Sequence, residues 1–248
     1  AIFQSFTIPE RVEHWGGEEG KLRRQAISHA INRAEITDAI FQGTSTPATD
    51  FTSPVLPGYD SEIAGNEVLD YDPERAKELW AQADEIAPFT GEFTLAYNSD
   101  GGHQAWVDAV VNSIRNTLGI EAVGNPYPDF KSLRDDVTGR TIEGAFRTGW
   151  QADYPSQGNF LGPLYGTGAG SNDGDYSNAD FDALLNDAAA APTVEEGNKL
   201  LEDAQEILLE DLPAIPLWYA NVTGGFSEAV SNVEFGWNSV PLYYEVTK

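Results

Sequence analysis

With 248 residues, 41% of them hydrophobic and 22% charged, the chain has the composition of an ordinary globular protein with one substantial core and room for an appendage. Its 40 Asp and Glu against 14 Lys and Arg leave a formal net charge of −26, which repels phosphate backbones and anionic lipid and so excludes nucleic-acid and membrane-surface roles. The absence of cysteine excludes disulfide scaffolds, thiolate metal sites and cysteine nucleophiles, and no apolar run approaches the roughly 18–20 residues of a membrane helix.

In chain order, the first residues, through Gln4 to Glu10, read as extended and stop at a loop around Gly16 and Gly17. There is no methionine, even at position 1, so a start at Ala1-Ile2-Phe3 without a signal peptide reads as a cut from something longer. From Lys21, Leu22, Ala26, Ile27, Ala30 and Ile31 recur at helical steps. Ile36, Ala39 and Ile40 continue the pattern to a stop at Gly43, and Thr44 to Gly58 reads as an irregular loop. Asp72 and Pro73 mark a helix start as N-cap and first helical residue.

Phe93, Leu95 and Tyr97 alternate as a half-buried strand, and Trp106, Val107, Val110, Val111, Ile114 and Leu118 form a helical stripe ending at Gly119. A short strand from Ile120 to Val123, a Pro-rich turn and a helix around Asp129 to Asp136 follow. Thr141 to Trp150 predicts a strand, and a Gly/Pro/Asn-rich loop runs to Ser177. Helices over about Ala179 to Ala190 and Thr193 to Glu210, a strand from Leu212 to Tyr219 and a tail of loose short strands complete the chain. The central strand–helix alternation predicts right-handed crossovers and a mixed, mostly parallel sheet with helices on both faces.

Most constellations have plain readings. His14, His29 and His103 lack zinc-helix spacing and read as ordinary histidines, and no G-x-S-x-G elbow supports a nucleophilic serine. Gly166-Thr167-Gly168-Ala169-Gly170 opens no helix and runs into Asn172-Asp173-Gly174-Asp175, so it reads as a turn and not as a phosphate loop. The same acidic turn lacks the terminal glutamate of a calcium loop. A two-carboxylate hydrolase built on Glu143 and Asp153 is disfavoured by their ten-residue spacing along a strand. No cofactor, metal or catalytic set is expected.

The informative segment is Gly149-Trp150-Gln151-Ala152-Asp153-Tyr154-Pro155, at the carboxyl end of a strand, where parallel α/β folds bind ligands. Its carboxylate and two aromatics suit a ligand with an ammonium group and apolar side chains. Residues of these types also fill strand-end cores, so spacing alone leaves both readings open.

Five ordered motifs narrow this. Arg24-Gln25-Ala26-Ile27-Ser28-His29-Ala30-Ile31-Asn32-Arg33, Tyr71-Asp72-Pro73 with Ala76-Lys77 and Leu79, and Trp150-Gln151-Ala152-Asp153-Tyr154-Pro155 with Asn159-Phe160-Leu161 are three. Tyr176-Ser177-Asn178 with Phe181-Asp182 and Leu184-Leu185, and Ile207-Leu208 with Asp211-Leu212-Pro213 and Ile215-Pro216-Leu217, are the others. The set resembles the oligopeptide/dipeptide-binding type of ABC-importer extracellular solute-binding proteins, family 5.

The resemblance implies one lobe, over residues 1–220, of a two-lobed periplasmic-binding-protein-like receptor, with a tail over 221–248 returning to an N-terminal lobe that is missing here. It implies a peptide ligand, ABC permease transmembrane subunits as partners, and an extracytoplasmic, lipid-anchored location. By the same resemblance Asp153 receives the ligand's α-amino group. Gly149, Trp150 and Gln151 supply backbone and stacking contacts, Tyr154 supports the loop, and Trp218 and Tyr219 are the aromatic pair after the I-P-L strand. The shortness of that pair leaves side-chain preference open, and relatives taking nickel, heme or oligosaccharide form the alternative.

Overall fold

The computed structural model describes residues 1–248 and begins with β1 (Ile2–Thr7), α1 (Gly17–His29) and α2 (Arg33–Ile36). A π-type turn (Thr37–Phe41) leads into β2 (Ser45–Pro47). The middle runs α3 (Pro73–Ile86), β3 (Phe93–Asn98), α4 (Gln104–Leu118), β4 (Ala122–Tyr127), α5 (Phe130–Thr138) and β5 (Ala145–Gln151). The last third is α6 (Gly158–Tyr165), α7 (Ala179–Ala190), α8 (Val194–Asp211) and β6 (Ala214–Ala220).

Local chemistry accounts for many boundaries. Asp72 accepts a hydrogen bond from the Arg75 N–H at 3.0 Å with Pro73 behind it, as the sequence predicts for α3. Asp129 caps α5 by accepting from the Ser132 N–H at 2.7 Å. Gly119 stops α4 in the left-handed region at φ 70°, where a side chain would be strained.

The six strands form one sheet in the order β2-β6-β1-β5-β3-β4. β3, β4, β5 and β6 run one way. The N-terminal β1 inserts between β5 and β6 and runs against both, and β2 runs against β6, so the sheet is mixed. Helices cover both faces. Val107 of α4 packs near Tyr97 and Gly124 on one face, while Leu133 and Val137 of α5 meet Ala96 and Phe146 on the other. No helix is long and apolar enough to cross a membrane.

The structure departs from the expectations in four places. The loop expected from Thr44 contains the edge strand β2, and the Pro-rich turn expected after Val123 is the outer half of β4. Both strands carry proline, Pro47 and Pro126, which an edge tolerates because its outer N–H groups need no ladder partner. The long loop before Ser177 contains α6, whose internal Pro163 and two glycines hid its helical character. The tail forms no strand: it makes isolated bridges, Ser231–Thr247 and Phe235–Pro241, within itself.

Two motif arginines hold these layers together from inside. Arg24 donates through Nε and Nη2 to the Asp211 carbonyl at 3.1 and 2.9 Å and through Nη1 to the Trp15 carbonyl. Arg33 donates to the carbonyls of Pro216 (2.8 Å), Ser28 (3.0 Å) and Leu69 (2.6 Å) and to Ser28 Oγ (2.8 Å). One guanidinium thus satisfies the end of α1, the turn before α3 and strand β6. Arg33→Met should lower stability by about 3–5 kcal/mol, because three buried carbonyls lose their donors. Arg33→Lys should recover part of that, since an ammonium has fewer donors in a different geometry. Urea titration checks this, as a lower midpoint at unchanged slope.

Candidate functional site

β5 is paired by β1 from Phe146, opposite Thr7, to its end at Gln151, opposite Ile2. On its other edge only Ala145 and Phe146 pair, with Leu95 and Ala96 of β3. β3 then ends at Asn98 and turns away, so Arg147 to Gln151 carry one strand edge with no partner. That edge lies at the carboxyl ends of β3 and β5, the crevice where ligands enter such sheets. Gly149 is exposed at its centre, and a Cβ there would meet Gln4 Nε2 at 2.6 Å and Arg147 Nη2 at 2.9 Å.

The chain leaves this edge through an exposed turn that carries Asp153 and Tyr154, the latter 52% accessible. Asn159, buried at the start of α6, shapes the turn: its Oδ1 accepts from the Asp153 N–H at 2.7 Å and from Trp150 Nε1 at 3.4 Å. Its amide also reaches Asp153 Oδ2, at 3.4 Å. Trp150 is half-buried against the core, and Gln151 Nε2 donates to the Asn238 carbonyl of the tail at 2.7 Å. Gly149, Trp150, Gln151, Asp153 and Tyr154 therefore form one continuous segment that reaches the surface.

Trp218 and Tyr219 do not join that surface. Trp218 is 1% exposed and packs between Phe41 and Trp106, with ring centroids at 5.0 and 5.4 Å. Tyr219 is 4% exposed, and its hydroxyl donates to the buried Asp50 carboxylate at 2.6 Å. It also accepts from the N–H groups of Thr49 (3.0 Å) and Asp50 (2.9 Å). A large aromatic on a fully buried central strand packs as core, which corrects any direct ligand contact by these two in this arrangement.

Three residues given no role in the sequence reading shape the site. Asn159 is one. Arg147 is the second: no acceptor reaches its guanidinium, its Nε is buried without a partner, and it lies 6.0 Å over the Phe130 ring. Burial, and then repulsion from Arg134, lower its pKa. The third is His103, half-buried before α4. Trp106 Nε1 donates to its Nδ1 at 3.0 Å, which leaves the proton on Nε2. Burial and the nearby Arg147 charge bring its pKa down to about 4, so the ring is neutral at pH 7. Asn159 stands in the Trp150 motif without its role being readable there, and Arg147 and His103 come together only through the fold.

The remaining constellations are accounted for by their partners. Asp173 and Asp175 are held by arginines, with Arg134 at 2.6 Å and Arg140 at 3.3 Å from Asp173, and Arg11 and Arg140 each at 2.9 Å from Asp175. No group of three His, Asp or Glu side chains converges as a metal site. The seven-residue β5 separates Glu143 from Asp153, by roughly 20 Å or more at strand rise. A working carboxylate pair needs about 5–9.5 Å.

Comparison with known proteins places the chain. Residues 21–172 match the profile described as bacterial extracellular solute-binding proteins, family 5 Middle. Heme-binding protein A of Haemophilus influenzae is 30% identical over 78% of this chain and 35% of its own length. Di/tripeptide-binding protein 1 of Pseudomonas aeruginosa is 29% identical over 90% of this chain and 42% of its own length. The chain thus spans about two fifths of these curated relatives. The solved periplasmic binding protein DppA from Helicobacter pylori in complex with peptide STSA shares the fold, with a TM-score of 0.79 and 22% identity, over 99% of this chain and 46% of that one. With the family profile matched from the first long helix to the acidic turn, this chain belongs to the bacterial extracellular solute-binding proteins, family 5.

Proposed function

We propose that this chain is one lobe of an extracytoplasmic receptor that captures peptides for an ABC importer, with Asp153 as the anchor for the ligand's α-amino group. The observation that carries this reading is the unpaired edge from Arg147 to Gln151, which ends on the exposed Asp153. An extended peptide added along such an edge satisfies its own backbone groups and those of β5 together. A carboxylate just past the strand end suits the ammonium at the start of that peptide. Trp150 and Tyr154 add aromatic surface beside it, and Asn159 holds the turn in place.

In this reading residues 1–220 make the lobe, and the tail over 221–248 crosses to an N-terminal lobe of the same protein. The exposed aromatics of the tail, including Tyr243 and Tyr244 at 75% and 80% accessibility, support a covering surface of that kind. A lipid anchor would hold the receptor near the permease transmembrane subunits. The relative named for heme motivates a second ligand class. The strand edge and Asp153 favour peptide over it, and titration of the full-length protein with hemin and with peptides separates the two.

Asp153→Asn in the full-length protein should weaken binding of a free-amino peptide by about tenfold or more, since a buried charge partner contributes about 2–5 kcal/mol. The same substitution should cost far less with an N-acetylated peptide, which has no ammonium to lose. Calorimetry on the two peptides checks both, and unchanged affinity for the free-amino peptide removes Asp153 from the site.

His103 generates a pH prediction. Its folded pKa of about 4 lies below the ordinary histidine value, so as pH falls from about 6.5 the unfolded chain takes the proton first. The ring's contribution to stability is therefore complete above about pH 6.5 and is lost progressively toward pH 4. His103→Asn should show a smaller loss than the unsubstituted protein between pH 7 and 4.5, measured as the shift in urea midpoint. An equal loss in both proteins contradicts it.

A further inference from the structure

The turn that carries Asp153 is held by Asn159, and the place of Asn159 depends on how α6 begins. By composition α6 is a weak helix. Its eight residues include Gly158, Gly162 and Pro163, and no side chain caps its N-terminus. Burial of Phe160 and Leu161 keeps it against the core, but apolar packing is not directional. The first turn therefore needs a directed bond from outside the helix.

Gln157, the residue before α6, supplies it. Its carbonyl accepts from the N–H groups of Phe160 at 2.9 Å and Leu161 at 3.1 Å, so its position sets the first turn. Its side chain is 0% exposed and matched at both ends: Oε1 accepts from Gln205 Nε2 at 3.0 Å, and Nε2 donates to the Pro57 carbonyl at 3.3 Å. Gln205 lies in α8, 2% exposed, and its Oε1 accepts from the Phe51 N–H at 3.0 Å. Two glutamines facing each other in a core give up hydration that apolar residues would not have to lose. Fully matched, as here, such a pair fixes one arrangement of the elements that it joins.

We propose that Gln205 is a positioning residue for recognition of the ligand's α-amino group, acting through Gln157 and Asn159 on Asp153; the inference rests on the peptide-binding reading above. The chain of neutral amides transmits position and no charge. Gln205 holds Gln157, Gln157 sets the first turn of α6, and Asn159 in that turn holds the Asp153 N–H. Without the donor from Gln205, Gln157 Oε1 stands unmatched in the core, and the start of α6 shifts to relieve it. Asn159 moves with it and takes the Asp153 carboxylate out of line with an ammonium at the end of the β5 edge. A peptide without an ammonium does not sense that displacement.

The test uses the full-length protein with tetra-alanine and its N-acetylated form, affinities read by calorimetry and folding by urea titration. The unsubstituted protein should bind the free-amino peptide about tenfold or more tighter than the acetylated one. Gln205→Met, similar in length but without the amide, should lower that ratio about threefold or more, and Gln157→Met should do the same. The double substitution should lower it no further than the larger single effect, because both remove one bond. If methionine prevents folding, Gln205→Asn is read instead, with the same expected direction: it keeps an amide but is too short to reach both Phe51 and Gln157. An unchanged ratio in the folded variants overturns the proposal. So does equal weakening of both peptides, the mark of a merely structural amide, and so do losses that add in the double variant. No preference for the free amine in the unsubstituted protein overturns the Asp153 reading itself, an outcome distinct from a preference that survives substitution.

Discussion

The site depends on β1, a six-residue strand hydrogen-bonded on both edges at the centre of the sheet. Beyond Phe146, β5 has no neighbour except β1, so the edge proposed to receive ligand is held from one side only. Side-chain rows run across the same pairing. Trp150 stands opposite Phe3, which stands opposite Tyr219; Gly149, Gln4 and Trp218 form the next row. A side chain at the ligand edge is thus two strands from the fully buried β6. Residues 2–7 must meet residues more than a hundred positions away before this edge exists, a loop-closure cost that places the site late in folding.

Buried polar groups complete that frame, several of them through neutral partners. Arg24 and Arg33 lie in the core of a strongly acidic chain, yet their hydrogen bonds go to backbone carbonyls and one hydroxyl, with Glu10 at 3.5 Å from Arg24 as the one carboxylate in ion-pair range. The buried Asp50 is likewise held by neutral donors, the Tyr219 hydroxyl and the N–H and hydroxyl of Thr52. Desolvation raises its pKa against the lowering effect of those bonds. Such groups fix how loops meet strands, because each donor or acceptor left unmatched in the core costs about 1–3 kcal/mol. Arginines that pair with carboxylates are found at Arg23, with Glu19 and Asp84, and around Asp173 and Asp175.

What was legible in the sequence was local. Asp72 with Pro73, the stop at Gly119 and the alternation of Phe93, Leu95 and Tyr97 each depend on neighbours within a few positions, and each appears as read. β2 and the outer half of β4 escaped because their proline-bearing segments are strands only by virtue of a distant partner. The proposed site divides the same way. The exposed segment from Gly149 to Tyr154 was visible as a motif at a strand end, but Asn159, Arg147 and His103 acquire meaning only from contacts. Trp218 and Tyr219 were misplaced because a motif position does not say which side chains reach solvent.

The exposure of Asp153 constrains how binding must occur. An ion pair left in water is worth about 0–1 kcal/mol, too little for an anchor. The same pair removed from water and hydrogen-bonded contributes several times more. Nothing in this chain covers Asp153 or Tyr154, and the relatives are more than twice as long as this chain. In the proposed receptor, recognition of the ammonium and enclosure of the peptide are then one event: the second lobe must close over the edge for Asp153 to discriminate at all. The free edge of β5 supplies backbone partners before closure, and the charges near it, Asp153 beyond the strand end and Arg147 within it, acquire their full strength only as water leaves.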